Sequence, residues 1–275
     1  MRRRRGRFAA CLIGGLMLLP ATAAVAATCG QSAAGFDRWL RDFKREAVAA
    51  GIPRRVVERA LGNVRYSRYV IKLDRSQKSF KLSFERFWRL RVNNALIRKG
   101  KRLMRQHAGL LRRIERRYGV PAPVIVAIWG LETGYGRNSG KMPVFRSLAT
   151  LAYDCRRSDF FRHELMSALK IVARGDMRPE QMRGAWAGEI GQTQFLASKY
   201  LAYAVDFDGD GRRDLIRSVP DVLASTANFL RAHGWRPGEG WQPGTHNYTV
   251  IKAWNRATVY QKTIARLADI LAGRR

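Results

Sequence analysis

A single glutamate stands at the end of an apolar run in the segment AIWGLETGYGRNSG, residues 127–140. Glu132 follows Ile128 and Trp129 at spacings of four and three residues, which places all three on one face of a helix. Burial against apolar neighbours and the negative end of the helix dipole would both raise the pKa of this carboxyl group. A raised pKa suits a general acid that works near neutral pH. The spacing fits equally well a structural glutamate that bonds the backbone amides of loop 134–136.

A second segment, GAWAGEIGQTQF at residues 184–195, combines glycines with aromatic and amide side chains. Trp186 and Phe195 offer faces on which sugar rings stack, while Gln192 and Gln194 offer amides for hydroxyls and acetamides. The glycines let the backbone approach a ligand closely. This mixture suits a carbohydrate-binding surface, although a glycine-rich turn taken alone is more often structural. A glycine-rich turn that only introduces a helix is the structural alternative.

The elements that must position these residues are predicted to be helices. Hydrophobic residues recur at helical spacing almost throughout the chain, as in FDRWLRDFKREAVAAG from residue 36, and alternating strand patterns are nearly absent. The fold class is therefore mainly α. Glycine and proline break the pattern into helices near residues 34–50, 53–62, 79–118, 122–133, 157–174, 192–204, 219–233 and 256–272.

The first residues, MRRRRGRFAACLIGGLMLLPATAAVAATC, have a basic start, an apolar run and then small residues. This pattern predicts a cleaved signal peptide over residues 1–27, because the apolar run is too short to span a bilayer. We therefore expect an exported, soluble periplasmic protein with no transmembrane segment in the mature chain. A lipid anchor on Cys29 is the alternative, although Thr28 rather than Gly or Ala precedes it.

Export would leave Cys29 and Cys155 in an oxidising compartment, where two cysteines usually pair. We therefore predict a disulfide between them, with two free buried thiols as the alternative. The four histidines lie far apart and have no zinc-ligand spacing, which argues against a zinc site.

The chain is strongly basic, with 52 Lys and Arg residues, 21 Asp and Glu residues and a formal charge of +31, which falls to +26 without residues 1–27. For an exported protein this surplus predicts attraction to anionic cell-wall strands or outer-membrane lipids. Solvated helix faces are the plain alternative. Nucleic acid is a rival partner, for which the aromatic and basic segment 83–91 is a candidate, but the predicted export argues against it.

An acidic segment, DFDGDGRRD, has the spacing of a calcium loop. Carboxylates fall at loop positions 1, 3, 5 and 9, which are Asp206, Asp208, Asp210 and Asp214. Arg217 fills position 12, where a bidentate glutamate is usual, so a standard site is incomplete. A turn rich in capping acids is the alternative.

Four motifs in order, WGLETGYG, AWAGEIGQTQF, YAVDFDGDG and NFLRAHGW, resemble the lytic murein transglycosylase B family over nearly the whole mature chain. The resemblance implies a lysozyme-like catalytic core at about residues 105–240, within a domain of residues 28–275 that adds N-terminal and C-terminal helices. It further implies cleavage of peptidoglycan with Glu132 as the only catalytic acid and base. Docking to cell-wall synthesis proteins is a further partnership that the resemblance leaves open.

The resemblance also assigns residues around Glu132. It places Gln194 in the sugar cleft, and the C-terminal segment AWNRATVY returns to the active site with Asn255 and Tyr260. Trp254 stands where the family commonly has Tyr. In the family's variant calcium loop Asp221 would supply the missing carboxylate, so a structural Ca²⁺ is expected, with no cofactor required for the chemistry.

One carboxylate suffices for a lytic reaction, in which the muramoyl 6-hydroxyl attacks C1 internally and a 1,6-anhydro sugar forms. The chain departs from the family pattern at Glu189, which is often neutral, and at Ala197, where Pro is common. Glu189 could cap the glycine turn, or it could act as a second carboxylate in a lysozyme-type hydrolase. A non-catalytic module that binds the cell wall is the remaining alternative.

Overall fold

The computed structural model describes residues 28–76 and 82–274, so the predicted signal peptide lies outside the described residues. Within these ranges the fold is mainly helical, as predicted, with one short antiparallel pair, β1 (Met142–Pro143) and β2 (Arg183–Gly184). The helices are α1 (Phe36–Ala49), α2 (Arg54–Leu61), α3 (Arg68–Arg75), α4 (Phe84–Arg91), α5 (Asn94–Gln106), α6 (Ala108–Tyr118), α7 (Ala122–Thr133), α8 (Val144–Tyr153), α9 (Ser158–Ala173), α10 (Ala197–Tyr203), α11 (Val219–Ala232), α12 (His246–Trp254) and α13 (Thr258–Leu271).

Two of the predicted helices are wrong in their extent. The region 79–118 is not one helix: its first residues lie outside the described ranges, and the rest forms α4, α5 and α6. Asn93 interrupts it with an extended backbone and caps α5 by accepting a hydrogen bond from the Leu96 amide at 2.9 Å. The region 192–204 is helical only from Ala197, because the preceding residues form a turn with Gln194 in the left-handed region.

Three helices, α3, α8 and α12, are absent from the sequence prediction. In α8 every residue except Arg146 is buried, so the hydrophobic pattern lacks the polar face that marks a surface helix.

The centre of the core is α7. Every residue from Val124 to Leu131 is buried, so the helix is apolar on all sides. It packs against α13, α5, α11 and α6. A helix enclosed in this way holds its last turn, and with it Glu132, in one fixed position.

The N-terminal end of the described chain is tied to the end of α8. The predicted disulfide between Cys29 and Cys155 is confirmed, with Cα atoms 5.0 Å apart, and the Gly30 amide bonds the Tyr153 carbonyl at 2.9 Å. The helix α1 then packs on α2 and α8. Among the described residues, we find no helix with the length and apolar character that a membrane crossing requires.

Candidate active site

Glu132 occupies the last turn of α7, and its carboxylate is held by two side chains from the C-terminal region. Its Oε1 accepts a hydrogen bond from Trp254 Nε1 at 2.9 Å and another from the Tyr260 hydroxyl at 2.8 Å. The loop amides do not hold it: the Gly136 amide bonds the Thr133 hydroxyl at 2.8 Å instead. The structural alternative of a glutamate that caps this loop is therefore wrong.

The surroundings of Glu132 favour its protonated form. Burial of the carboxyl group is the main cause that raises its pKa above the ordinary value of 4.5, and the negative charge of Glu189 acts in the same direction. The hydrogen bonds from Trp254 and Tyr260 and the charge of Arg91 oppose the shift without cancelling it. The group is thus fixed in orientation and biased toward the acid form, as general acid catalysis requires.

The two donors to Glu132 reach it because α13 packs on α7 and α12 packs on α13 and α11. The helix α12 ends at Trp254, whose ring packs edge-on against Phe195 and Phe229 at centroid distances of 5.4 and 5.0 Å. Asn255 then turns the chain, accepting a bond from the Ala257 amide at 3.0 Å. The helix α13 brings Tyr260, which is buried, against α7.

The glycine-rich segment forms a tight turn that makes a second wall of the site. Ile190 and Phe195 exchange backbone hydrogen bonds of 2.7 and 2.9 Å, and Gln194 between them has a φ of 53°. Gly191 is required here because its φ is 79° and a Cβ atom would lie 2.3 Å from the Leu215 carbonyl oxygen. Gln194 is fixed by bonds from its Nε2 to the carbonyls of Gly191 and Ser139, at 2.8 and 3.2 Å.

A cavity of about 370 Å³ lies between these two walls. It brings together five of the residues that the sequence singles out for the site, namely Glu132, Gln194, Phe195, Trp254 and Asn255. The cavity is also lined by Glu189, the possible second carboxylate, and by four residues that the sequence does not single out, Leu196, Lys199, Phe229 and Ala253. Leu196 and Lys199 were detectable, since they lie two and five residues after Gln194, whereas Phe229 and Ala253 come from helices that only the fold brings close.

Three predicted substrate-binding residues do not line the cavity: Gln192, Trp186 and Tyr260, the last of which instead holds Glu132. Gln192 is buried, and its amide is fully used: Oε1 accepts from Trp129 Nε1 and Nε2 donates to the Ile216 carbonyl, both at 2.9 Å. In this structure Gln192 links α7 to the end of the acidic loop and does not line the cavity. Trp186 is half-buried against the core and does not line the cavity.

Glu189 is a second carboxyl group in the same cavity. Burial is the main cause that raises its pKa, opposed by the backbone amides of Glu189 and Ala187. These amide contacts are those expected of a carboxyl group that stabilises the glycine turn, while its place in the cavity keeps the second-carboxylate alternative open.

The acidic loop assembles only part of the predicted calcium ligand set. Carboxylate oxygens of Asp206, Asp208 and Asp210 lie within 4.8 Å of one another. Asp221 is fully buried and accepts hydrogen bonds from the amides of Phe207 and Asp214 at 2.7 and 2.8 Å, so it braces the loop from behind. Asp214 instead accepts from the Arg217 side chain, as well as from the backbone amides that follow it.

A mainly helical fold that holds the carboxyl group of Glu132 at the end of a buried helix, facing a cavity with aromatic and amide walls, is that of a lysozyme-like protein. Residues 35–245 match the family described as Transglycosylase SLT domain, and the chain belongs to that family.

Named relatives agree with this assignment. The chain is 39% identical over 150 residues to membrane-bound lytic murein transglycosylase B of Escherichia coli, a match that covers 52% of this chain but only 41% of that protein. Its structure matches SltB3 of Pseudomonas aeruginosa in complex with NAG-anhNAM-pentapeptide, with a TM-score of 0.83, 33% identity and coverage of 89% of this chain and 80% of that one. The Escherichia coli lytic transglycosylase Slt35 in complex with calcium shares the fold, with a TM-score of 0.75, 24% identity and coverage of 93% and 98%.

Proposed function

We propose that the protein is a lytic transglycosylase that cleaves the β-1,4 bond between N-acetylmuramic acid and N-acetylglucosamine in peptidoglycan. The observation that carries the proposal is the carboxyl group of Glu132, which burial biases toward the acid form and which Trp254 and Tyr260 hold beside the cavity. Family membership and the peptidoglycan fragment bound by the Pseudomonas relative support the choice of substrate.

The reaction follows from one carboxyl group that acts twice. Glu132 donates its proton to the glycosidic oxygen as the C1–O bond breaks and an oxocarbenium-like centre forms. The muramoyl 6-hydroxyl then attacks C1 and closes the 1,6-anhydro ring, and its proton passes to the Glu132 carboxylate. Atoms and charges balance without water, and the enzyme returns to its starting state. The bonds to Oε1 keep the carboxyl group in place through both transfers.

The walls of the cavity would position the sugar. Phe195 and Trp254 offer aromatic faces, while Gln194 and Asn255 offer amide groups to acetamides and hydroxyls. Tyr260 would act through Glu132, as the donor that orients it.

A lysozyme-type hydrolase is the second candidate. It is supported by Glu189, which is a second carboxyl group in the same cavity. In that mechanism a second carboxylate would activate water or act as the nucleophile. Burial raises the pKa of Glu189 and so disfavours the ionised form that a general base or nucleophile requires. Mass spectrometry of digested sacculi separates the two mechanisms, because transglycosylation leaves 1,6-anhydromuramoyl ends and hydrolysis leaves reducing ends.

A non-catalytic module that binds the cell wall or another polyanion is the third candidate. The carboxyl group of Glu132, which Trp254 and Tyr260 hold beside the cavity, argues against this candidate because it has the features of a catalytic acid. For nucleic acid, two aromatic residues of segment 83–91 already have partners within the protein: Phe87 is buried, and the half-buried Trp88 has the Arg266 guanidinium 4.6 Å from its ring centroid. Co-sedimentation with sacculi and gel shift with DNA at physiological salt would separate these partners.

We further propose a structural calcium ion at the loop of Asp206, Asp208 and Asp210. The clustered oxygens and the hard carboxylate donors fit this cation, and the calcium complex of Slt35 supports the idea. Asp221 would serve the site indirectly, by holding the loop amides. Millimolar calcium should raise the melting temperature, and Asp208→Asn should reduce that rise; a melting temperature unmoved by calcium or chelator would contradict the site.

We also propose that residues 28–275 act in the periplasm after removal of residues 1–27, as one catalytic domain with its core near residues 105–240. The sequence pattern supports export, and the name of the Escherichia coli relative points to the alternative of a membrane-anchored form. Fractionation of cells and N-terminal sequencing of the mature protein would test both. Docking to cell-wall synthesis proteins can be tested by cross-linking in the same cells.

A further inference from the structure

Lys199 is the one cationic side chain among the described residues that line the active-site cavity. The other lining groups are two carboxyl groups, two amides and a set of aromatic and aliphatic side chains. A glycan ring and its acetamide are neutral, so none of the groups that recognise the sugar itself needs a cation.

The backbone that carries Lys199 is firmly held. It lies in the first turn of α10, where the Ser198 amide and hydroxyl donate to the buried carboxyl group of Glu164 at 2.9 and 2.7 Å. Glu164 is only 2% exposed and belongs to α9, so this contact fixes the start of α10 against the core. The position from which the lysine side chain extends is therefore well defined.

The ammonium group itself is not neutralised by an acid. No ion pair within 4.0 Å is formed by Lys199 among the described residues, although Glu189 lines the same cavity. The Nζ atom of Lys199 lies 5.8 Å from the centroid of the Tyr203 ring. A half-buried cation of this kind is available to a ligand anion.

The proposed substrate carries such an anion beside its sugar ring. The muramoyl residue bears a lactyl group on O3, whose carboxyl group is either free or extended by a peptide that has carboxylates of its own. We propose that Lys199 is a specificity-determining residue that binds a carboxylate of this lactyl-peptide substituent. The inference rests on the proposed function and extends it, because it explains how the cavity would prefer a muramoyl strand to a neutral glycan.

The test measures binding in the full chain with Glu132→Gln, which prevents turnover during titration. Three probes are compared by calorimetry: a peptide-bearing muramoyl tetrasaccharide, the same tetrasaccharide after amidase treatment, which has free lactyl carboxylates, and neutral chitotetraose. Lys199→Met and Lys199→Arg are introduced in this background. Lys170→Met is the matched control, because Lys170 is exposed on α9 and does not line the cavity.

Lys199→Met should weaken binding of a carboxylate-bearing probe by about three- to tenfold, leave chitotetraose unchanged and reduce the salt dependence of the affinity. Lys199→Arg should keep most of the affinity, and Lys170→Met should have no effect. A loss confined to the peptide-bearing probe assigns the contact to the peptide, and a loss confined to the amidase-treated probe assigns it to the lactyl group.

Equal weakening of all three probes, or of none, would overturn the proposal. In variants that retain Glu132, the loss should fall mainly on KM. Failure of the proposed function would appear separately, as a native protein that releases no fragments from sacculi, whatever the binding data give.

Discussion

Glu132→Gln should remove most activity and yet stabilise the fold at neutral pH. The amide cannot donate or recover the catalytic proton, and general acid and base catalysis contributes ~10²–10⁴-fold, or about 3–5.5 kcal/mol. Because one residue serves both steps, the loss should lie toward the upper end. The hydrogen bonds can survive, since the Gln oxygen can accept from Trp254 and Tyr260 as Oε1 of Glu132 does.

The stability effect has a definite sign. Burial raises the folded-state pKa of Glu132 above 4.5, so the folded state binds the proton more tightly than the unfolded chain. The stability associated with this group is fully present below the unfolded pKa and is lost as the pH rises through the folded value. Glutamine does not titrate, so the variant should melt higher than the native protein at pH 7, and the difference should shrink toward pH 4.

The assay combines release of soluble fragments from sacculi, co-sedimentation with sacculi and thermal melts between pH 4 and 8. Glu115→Gln is the control, because Glu115 is exposed on α6 and should change neither activity nor the melting difference. A Glu132→Gln variant that retains more than about a tenth of the native rate would refute the assignment of the catalytic acid. Loss of binding to sacculi would instead show that the substitution disturbs the cavity.

Three further predictions concern neighbouring groups. Replacing Cys29 and Cys155 with Ser should lower the free energy of unfolding by roughly 3–5 kcal/mol, measured by urea denaturation, because the bond closes a loop of 126 residues; an unchanged midpoint would contradict this. Tyr260→Phe removes a bond that lowers the pKa of Glu132, so the alkaline limb of the pH–activity profile should move to higher pH, and an unmoved limb would argue against the contact. Glu189→Gln should keep most turnover on sacculi, since the amide oxygen can still accept from the backbone; a loss above 100-fold would point to a chemical role.

The sequence predicts the helical class of the fold and its amphipathic helices well. Helices such as α1 and α13 carry a polar face that marks their limits. A helix that the fold encloses on nearly all sides lacks this polar face. The helix α8 is buried almost throughout, and the sequence did not predict it. The region 79–118 failed for a different reason, because caps such as Asn93 interrupt a continuous hydrophobic pattern locally.

The candidate site was predictable in its chemistry but only partly in its geometry. Glu132 was identified from an isolated acid in an apolar run, whereas its partners Trp254 and Tyr260, more than 120 residues away, came from family resemblance alone. Gln192 and Gln194 look alike in sequence. The left-handed backbone at Gln194 turns one amide toward the cavity, while the other is buried in the core, and no local pattern separates the two.

The chemical nature of the new chain ends tests the central claim most directly. Purified native protein digests sacculi, and mass spectrometry compares 1,6-anhydromuramoyl ends with reducing ends. A single carboxyl group that acts as both acid and base predicts 1,6-anhydro ends throughout, formed by the native protein and by Glu189→Gln and nearly absent with Glu132→Gln. Reducing ends from the native protein that disappear with Glu189→Gln would contradict the account and identify a two-carboxylate hydrolase.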